Sequence, residues 1–157
     1  VLITELNKRK ESLVFAESCT GGLLSSSITS ISGSSQVFKG SIIAYSNGLK
    51  QSLLNISEDQ LKRYGAVSEE VAETMAKNVK EKLGADWAIS TSGIAGPNGE
   101  SKDKPIGLVY ISISGPNNHI TNLKKIFHST RNRIEIQTLS VNVCLNSLRL
   151  ILLSKSK

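Results

Sequence analysis

Leu13-Val14-Phe15-Ala16-Glu17-Ser18-Cys19-Thr20-Gly21-Gly22 runs an apolar, strand-like stretch straight into hydroxyls, a thiol and two glycines. Open α/β sheets bind ligands beyond the carboxyl ends of their strands, and a helix starting there directs free backbone N–H groups at an anion or oxyanion. The stretch therefore predicts an α/β fold and makes Ser18 the first candidate nucleophile. Ser, Thr and Gly are also ordinary turn and helix-cap residues. The functional reading gains weight because two further loops of similar character follow.

Around this stretch the pattern predicts a helix over 2–10, a strand over 12–17 and a helix over 21–31 that ends before Ser32-Gly33-Ser34-Ser35. A second strand fits Ser41-Ile42-Ile43-Ala44-Tyr45, stopped by Asn47-Gly48, and helical pattern resumes from Leu49. Ser57-Glu58-Asp59-Gln60 has capping-box spacing and Gly65 marks a helix stop. Ser68 caps a helix over 69–83, whose Val71, Met75, Val79 and Leu83 recur on one face as a core stripe. Trp87–Thr91 reads as a third strand leading into Ser92-Gly93-Ile94-Ala95-Gly96-Pro97-Asn98-Gly99, and Gly107–Ile113 as a fourth. Gly115-Pro116-Asn117-Asn118 turns the chain into a fifth strand ending at Phe127, and a last helix runs from near Thr130 towards Leu152 with Ser129 as its cap. Helices alternating with strands, closed by a hairpin, predict a mixed sheet between two helical layers.

The composition fits one domain over 1–157: at that length roughly 70% of the unfolded chain's surface is buried. The 4% aromatic content argues against a base-stacking nucleic-acid platform, while the net charge of +6 favours anionic ligands. The basic residues are scattered, clustering only at Lys8-Arg9-Lys10, Lys124-Lys125, Arg131/Arg133 and Lys155/Lys157, as on an ordinary solvated surface. Two cysteines, Cys19 and Cys144, make no disulfide framework, and no Cys/His grouping has zinc spacing. This points to a reducing cytoplasm and no structural metal. No signal peptide is evident, and the apolar run Leu150-Ile151-Leu152-Leu153 is far too short to span a bilayer. The chain begins at Val1 without Met, which suggests a piece of a longer polypeptide.

The loop after the third strand would lie at the same sheet edge as Ser18 if the two strands run parallel, and its glycines permit close approach of backbone to a ligand. Tyr45 and Lys50 leave the second strand at that edge too. A lysine there could take the proton of Ser18 only if neutral; lowering its pKa from about 10.4 by roughly three units is about 4 kcal/mol of differential stabilisation. On the residues alone, an exposed surface lysine is the better reading. The chain has neither a G-x-S-x-G elbow nor a G-x-x-x-x-G-K-[ST] loop, so an α/β-hydrolase triad and a P-loop kinase are unsupported. His119 and His128 have no metal-like partners in the pattern. Cys19 could compete with Ser18 as nucleophile, though strand alternation would point the two side chains differently.

Taken together, Ala16-Glu17-Ser18-Cys19-Thr20-Gly21-Gly22, Gly33-Ser34-Ser35, Gly40 with Tyr45-Ser46-Asn47 and Lys50, Gly65-Ala66-Val67-Ser68, Gly93-Ile94-Ala95-Gly96-Pro97 and Lys104-Pro105-Ile106-Gly107 strongly resemble the CinA C-terminal domain family. The resemblance covers nearly the whole chain, in order. It implies a three-layer α/β/α sandwich with a five-stranded mixed, mostly parallel sheet, found alone or fused behind a separate N-terminal domain, and self-associating into a homo-oligomer. It also implies an amidohydrolase that converts nicotinamide mononucleotide (NMN) to nicotinate mononucleotide and ammonia without metal or other cofactor. By position, Ser18 corresponds to the family's nucleophile, Lys50 to its general base and Tyr45 to an assisting hydroxyl. Arg131 resembles the arginine before the last helix, which would hold the phosphate or help keep Lys50 neutral.

The backbone at Cys19, Thr20, Gly21 and Gly22 is the candidate source of oxyanion or phosphate donors, and Gly93, Ala95 and Gly96 are candidates for lining the substrate site. The chain departs from the family where Gly-Asp-Arg reads Ser129-Thr130-Arg131, where an arginine one turn later is Glu135 with Arg133 nearby, and where a loop glycine is Glu100. The altered phosphate region keeps an alternative open: a non-catalytic nucleotide-binding or protein-interaction module of a competence or damage-inducible protein. Direct nucleic-acid binding rests on charge alone.

Overall fold

The computed structural model describes residues 1–128 and 130–155. In chain order the elements are α1 (Leu2–Arg9), β1 (Leu13–Glu17), α2 (Leu23–Thr29), β2 (Phe38–Ile43), α3 (Asn47–Leu54), α4 (Glu58–Tyr64), α5 (Glu69–Lys82), β3 (Trp87–Gly93), β4 (Leu108–Ser114), β5 (Ile120–Ile126) and α6 (Arg133–Ser154). The five strands form one mixed sheet in the order β2-β1-β3-β4-β5. β1 pairs parallel with β2 and β3, and antiparallel pairing of β3 with β4 and β4 with β5 leaves only β4 reversed.

Strand alternation in β1 divides the core. Leu13 and Phe15 enter one apolar cluster with Leu6 of α1, Leu24 and Ile28 of α2 and Cys144 and Leu148 of α6. Val14 and Ala16 enter another with Leu54 of α3, Leu61 of α4 and Val71, Met75 and Val79 of α5. Every residue of β1 is buried, as a central strand covered on both faces requires. The result is the expected three-layer sandwich, and the carboxyl ends of β1, β2 and β3 meet at one edge.

Several boundaries differ from the sequence expectation for local reasons. Gly21 and Gly22 hold φ of 57° and 101°, so the helix expected from residue 21 begins at Leu23. β2 runs three residues earlier and ends at Ile43, opposite Glu17. Asn47-Gly48 does not stop the strand: it forms the first turn of α3, because Ser46 Oγ accepts a hydrogen bond from the Leu49 N–H at 3.2 Å. The last helix begins at Arg133, with Asn132 as its cap in a reciprocal capping box with Glu135. The expected cap Ser129 lies outside the described residues.

By length and composition the 22-residue α6 is apolar enough to cross a membrane, which the four-residue run within it does not reveal. Its Ile136, Val141, Cys144, Leu148 and Leu152 are buried in the core cluster shared with α1 and α2.

Candidate active site

Ser18 sits one residue beyond β1, 8% exposed, with its N–H bonded to the Thr91 carbonyl of β3 at 3.0 Å. The chain then turns sharply, Gly21 N–H donating to the Ser18 carbonyl at 3.1 Å. The first turn of α2 is claimed by Glu17, which is fully buried. Its carboxylate accepts from the N–H groups of Gly22, Leu24 and Ser25 and from the hydroxyls of Thr20 and Ser25, at 2.5 to 3.1 Å. An internal carboxylate thus occupies the place where a helix N-terminus would hold a phosphate. Of the four expected backbone donors, Gly21 and Gly22 are engaged inside the protein, while among the described residues the N–H groups of Cys19 and Thr20 donate to no other residue.

Lys50 arrives from α3. Because Ser46 caps that helix, Lys50 falls on the turn facing β1, and its side chain is 2% exposed. Nζ lies 3.0 Å from Ser18 Oγ, 2.9 Å from the Ala44 carbonyl and 3.2 Å from the Tyr45 carbonyl. Burial lowers the Lys50 pKa from the ordinary lysine value, opposed by its interaction with Cys19. The two carbonyls fix two N–H bonds, so the remaining valence of the nitrogen faces Ser18. As an ammonium, Lys50 donates to Ser18 Oγ; as a free amine, it accepts the Ser18 proton.

Cys19 does not rival Ser18. Burial pushes its thiol up to about 12, against opposing contributions from Thr91, Lys50 and Arg133, so sulfur stays protonated at neutral pH. Its carbonyl accepts from Gln137 Nε2 at 2.8 Å, which ties the turn to α6.

Ser18, Cys19, Tyr45, Lys50, Gly93 and Ala95 line one cavity of about 230 Å³. Gly93 is required there, since a Cβ would lie 2.7 Å from the Leu108 carbonyl oxygen. Gly96 stands behind this wall, its carbonyl accepting from Arg133 Nη1 at 2.7 Å. Tyr45 contributes in two directions: its carbonyl to Lys50, and its hydroxyl to Arg133 Nη2 at 2.5 Å. Thr20 is directed inward, to Glu17 and to Thr91 Oγ1 at 2.8 Å.

The arginine expectation requires correction. Arg131 lines a separate surface groove with His128, Thr130 and Glu135, whereas Arg133 lines the cavity. The Asn132/Glu135 capping box starts the helix at Arg133 and selects that side chain. Sequence reasoning also passed over Asn47, Asn98 and Gly99 as lining residues. The Asn98-Gly99 pair carried a turn signal but no chemical one.

The model of the CinA C-terminal domain matches residues 1–152. A CinA-like protein of Prochlorococcus marinus strain MIT 9215 is 81% identical over all 157 residues, which cover 37% of that relative. Another, from strain NATL2A, is 52% identical over 145 residues, covering 92% of this chain and 34% of the relative. The crystal structure of competence/damage inducible protein CihA from Agrobacterium tumefaciens superposes with a TM-score of 0.92 at 33% identity, covering 96% of this chain and 90% of that one. A CinA superfamily protein from Klebsiella pneumoniae 700603 superposes at 0.91 with 26% identity, covering 98% and 94%. The chain spans little more than a third of the length of these curated relatives and belongs to the CinA C-terminal domain family.

Proposed function

We propose that this domain is an amidohydrolase that converts NMN to nicotinate mononucleotide and ammonia through a Ser18/Lys50 dyad. The observation that carries this reading is the buried Lys50 amine, 3.0 Å from Ser18 Oγ, with its other hydrogen-bonding directions held by two carbonyls. Ser18 Oγ attacks the carboxamide carbon as its proton passes to Lys50 Nζ, giving a tetrahedral oxyanion for which the N–H groups of Cys19 and Thr20 are the available donors. Collapse breaks the C–N bond, Lys50 returns the proton to the departing ammonia, and an ester to Ser18 remains. Water then attacks the ester carbon, giving a proton to Lys50; the C–O bond breaks and Ser18 recovers its hydroxyl proton from Lys50. The chain's share of its relatives' length supports a domain fused behind an N-terminal one, and the family resemblance supports a homo-oligomer.

The test is release of ammonia and nicotinate mononucleotide from NMN without added metal. Ser18→Ala and Lys50→Ala should each lower turnover by about 10²- to 10⁴-fold or more while retaining the wild-type circular dichroism spectrum. Full activity in either variant refutes the dyad. Calorimetric binding of NMN by the wild type with no ammonia release would instead favour the non-catalytic module, the reading that the altered arginine region keeps in view.

A further inference from the structure

The donors that the turn after β1 offers to an oxyanion are backbone groups, and a backbone N–H is aimed by whatever holds its peptide plane. A trans peptide unit puts its carbonyl and its N–H on opposite sides, and among the described residues the one cis bond is Gly96-Pro97. The Ser18–Cys19 unit is held from within the turn, its carbonyl accepting from the Gly21 N–H at 3.1 Å. The Cys19–Thr20 unit has no local partner among the described residues. Its carbonyl accepts instead from Gln137 Nε2, 118 positions along the chain, at 2.8 Å. With that carbonyl drawn to α6, the Thr20 N–H is turned away from the helix, and it donates to no other residue.

Glu17 cannot set this plane. Its five donors are the Thr20 and Ser25 hydroxyls and the amides of Gly22, Leu24 and Ser25, none of them in the Cys19–Thr20 peptide. Gln137 is placed to do so by the helix that carries it. It follows Arg133 by four residues, so the two side chains leave the same face of α6. Arg133 donates to the Gly96 carbonyl at 2.7 Å, and that face thus holds one backbone carbonyl in each of two loops, the β1–α2 turn and the β3–β4 connection. The helix is anchored: Ile136, Cys144 and Leu148 are buried in the core cluster that also contains Leu24 and Ile28 of α2. A peptide pinned to a packed helix is oriented before substrate arrives, the condition under which an oxyanion donor is most effective.

We propose that Gln137 is a positioning residue of this site: by holding the Cys19 carbonyl it sets the Cys19–Thr20 peptide plane and aims the Thr20 N–H at the oxyanion. The proposal rests on the amidohydrolase reading for the existence of that oxyanion. Gln137 itself touches no reacting atom.

The experiment uses Gln137→Met and Gln137→Glu, which keep the length of the side chain and suit a helix but remove the donor. Thr138→Val, on the exposed residue next in the helix, is the control. For each protein kcat and the calorimetric Kd are measured with NMN, and the Thr20 amide nitrogen and Cys19 carbonyl carbon are followed by NMR. Loss of one whole oxyanion donor costs about 10²- to 10³-fold in kcat, so a misaimed one should cost about 10- to 100-fold in Gln137→Met. Gln137→Glu should lose more, because a carboxylate then faces the carbonyl. Kd for NMN should change by less than about 3-fold in both, since the oxyanion exists only after attack. The Thr20 and Cys19 resonances should move in both variants and stay in place in Thr138→Val.

A packing role for Gln137 predicts near wild-type kcat in Gln137→Glu, and that result overturns the proposal. So do parallel losses in kcat and NMN binding, or Thr20 and Cys19 resonances that do not move. An active wild type with unimpaired variants removes this proposal and leaves the Ser18/Lys50 dyad standing. A wild type that binds NMN but releases no ammonia removes the amidohydrolase reading and the oxyanion role with it, and the resonances then report only whether Gln137 sets the peptide plane.

Discussion

Two ionisable side chains are buried beside Ser18, and they are held in opposite ways. Glu17 is surrounded by five hydrogen-bond donors that lock the β1–α2 turn. Lys50 is held by two carbonyls and otherwise faces a hydroxyl whose proton it can carry. The first arrangement satisfies a charge and fixes backbone; the second desolvates a base and leaves it a reacting partner. Burial of a charge-bearing group is therefore not by itself a sign of catalysis, and the partner set separates the two cases.

The largest expected effects test this separation directly. Lys50→Met should abolish measurable ammonia release yet change unfolding free energy in urea by less than about 2 kcal/mol. Loss of two hydrogen bonds to carbonyls is offset there by removal of a desolvated amine. Glu17→Ala should instead destabilise the fold by about 3 to 5 kcal/mol, because several buried donors lose their acceptor. A Glu17→Ala protein as stable as wild type, or a Lys50→Met protein that unfolds as readily as Glu17→Ala, would break the comparison.

The same contrast has a pH signature. The folded-state pKa of Lys50 is lowered, chiefly by burial, below the value of about 10.4 that the unfolded chain has. Between those two values the unfolded chain binds the extra proton, so the Lys50 contribution to stability rises with pH across that window and is at its least favourable below it. The stability difference between Lys50→Met and wild type should accordingly shift in favour of wild type as pH approaches 10. In kinetics, kcat/KM should rise with pH as Lys50 in the free enzyme loses its proton. A stability difference independent of pH across this range would contradict the desolvated amine.

How much of this was legible in the sequence depended on distance along the chain. β1 and Ser18 could be read because an apolar run meets two glycines within ten residues, and the glycines do take the left-handed conformations such a turn needs. The meeting of Lys50 with Ser18 depends on where α3 begins. Asn47-Gly48 carries a hairpin-like turn signal, and the Ser46 cap overrides it. Glu17 gave no signal, since its five donors come together only after the turn has formed. The arginine was decided by a local pattern that is present but easily passed over: Asn132 and Glu135 have capping-box spacing, which sets the helix start at Arg133. A start near Thr130 favours Arg131 instead. One helical boundary, displaced by about three residues, is enough to direct a different cation into the cavity.

Tyr45 supplies the smallest and most discriminating prediction. The family resemblance gives its hydroxyl an assisting part in catalysis, whereas here that hydroxyl meets Arg133 and the residue's carbonyl meets Lys50. Tyr45→Phe keeps the carbonyl and the ring and removes only the hydroxyl. If the hydroxyl's part is to orient Arg133, the substitution should raise the KM for NMN by about 2- to 10-fold, as expected for one partly exposed hydrogen bond, and leave kcat nearly unchanged. In an Arg133→Ala background it should then add little, because the group it orients is gone. If turnover instead slows by about a hundredfold or more, and the loss persists without Arg133, the hydroxyl takes part in the proton transfer itself and its part is separate from that of Arg133.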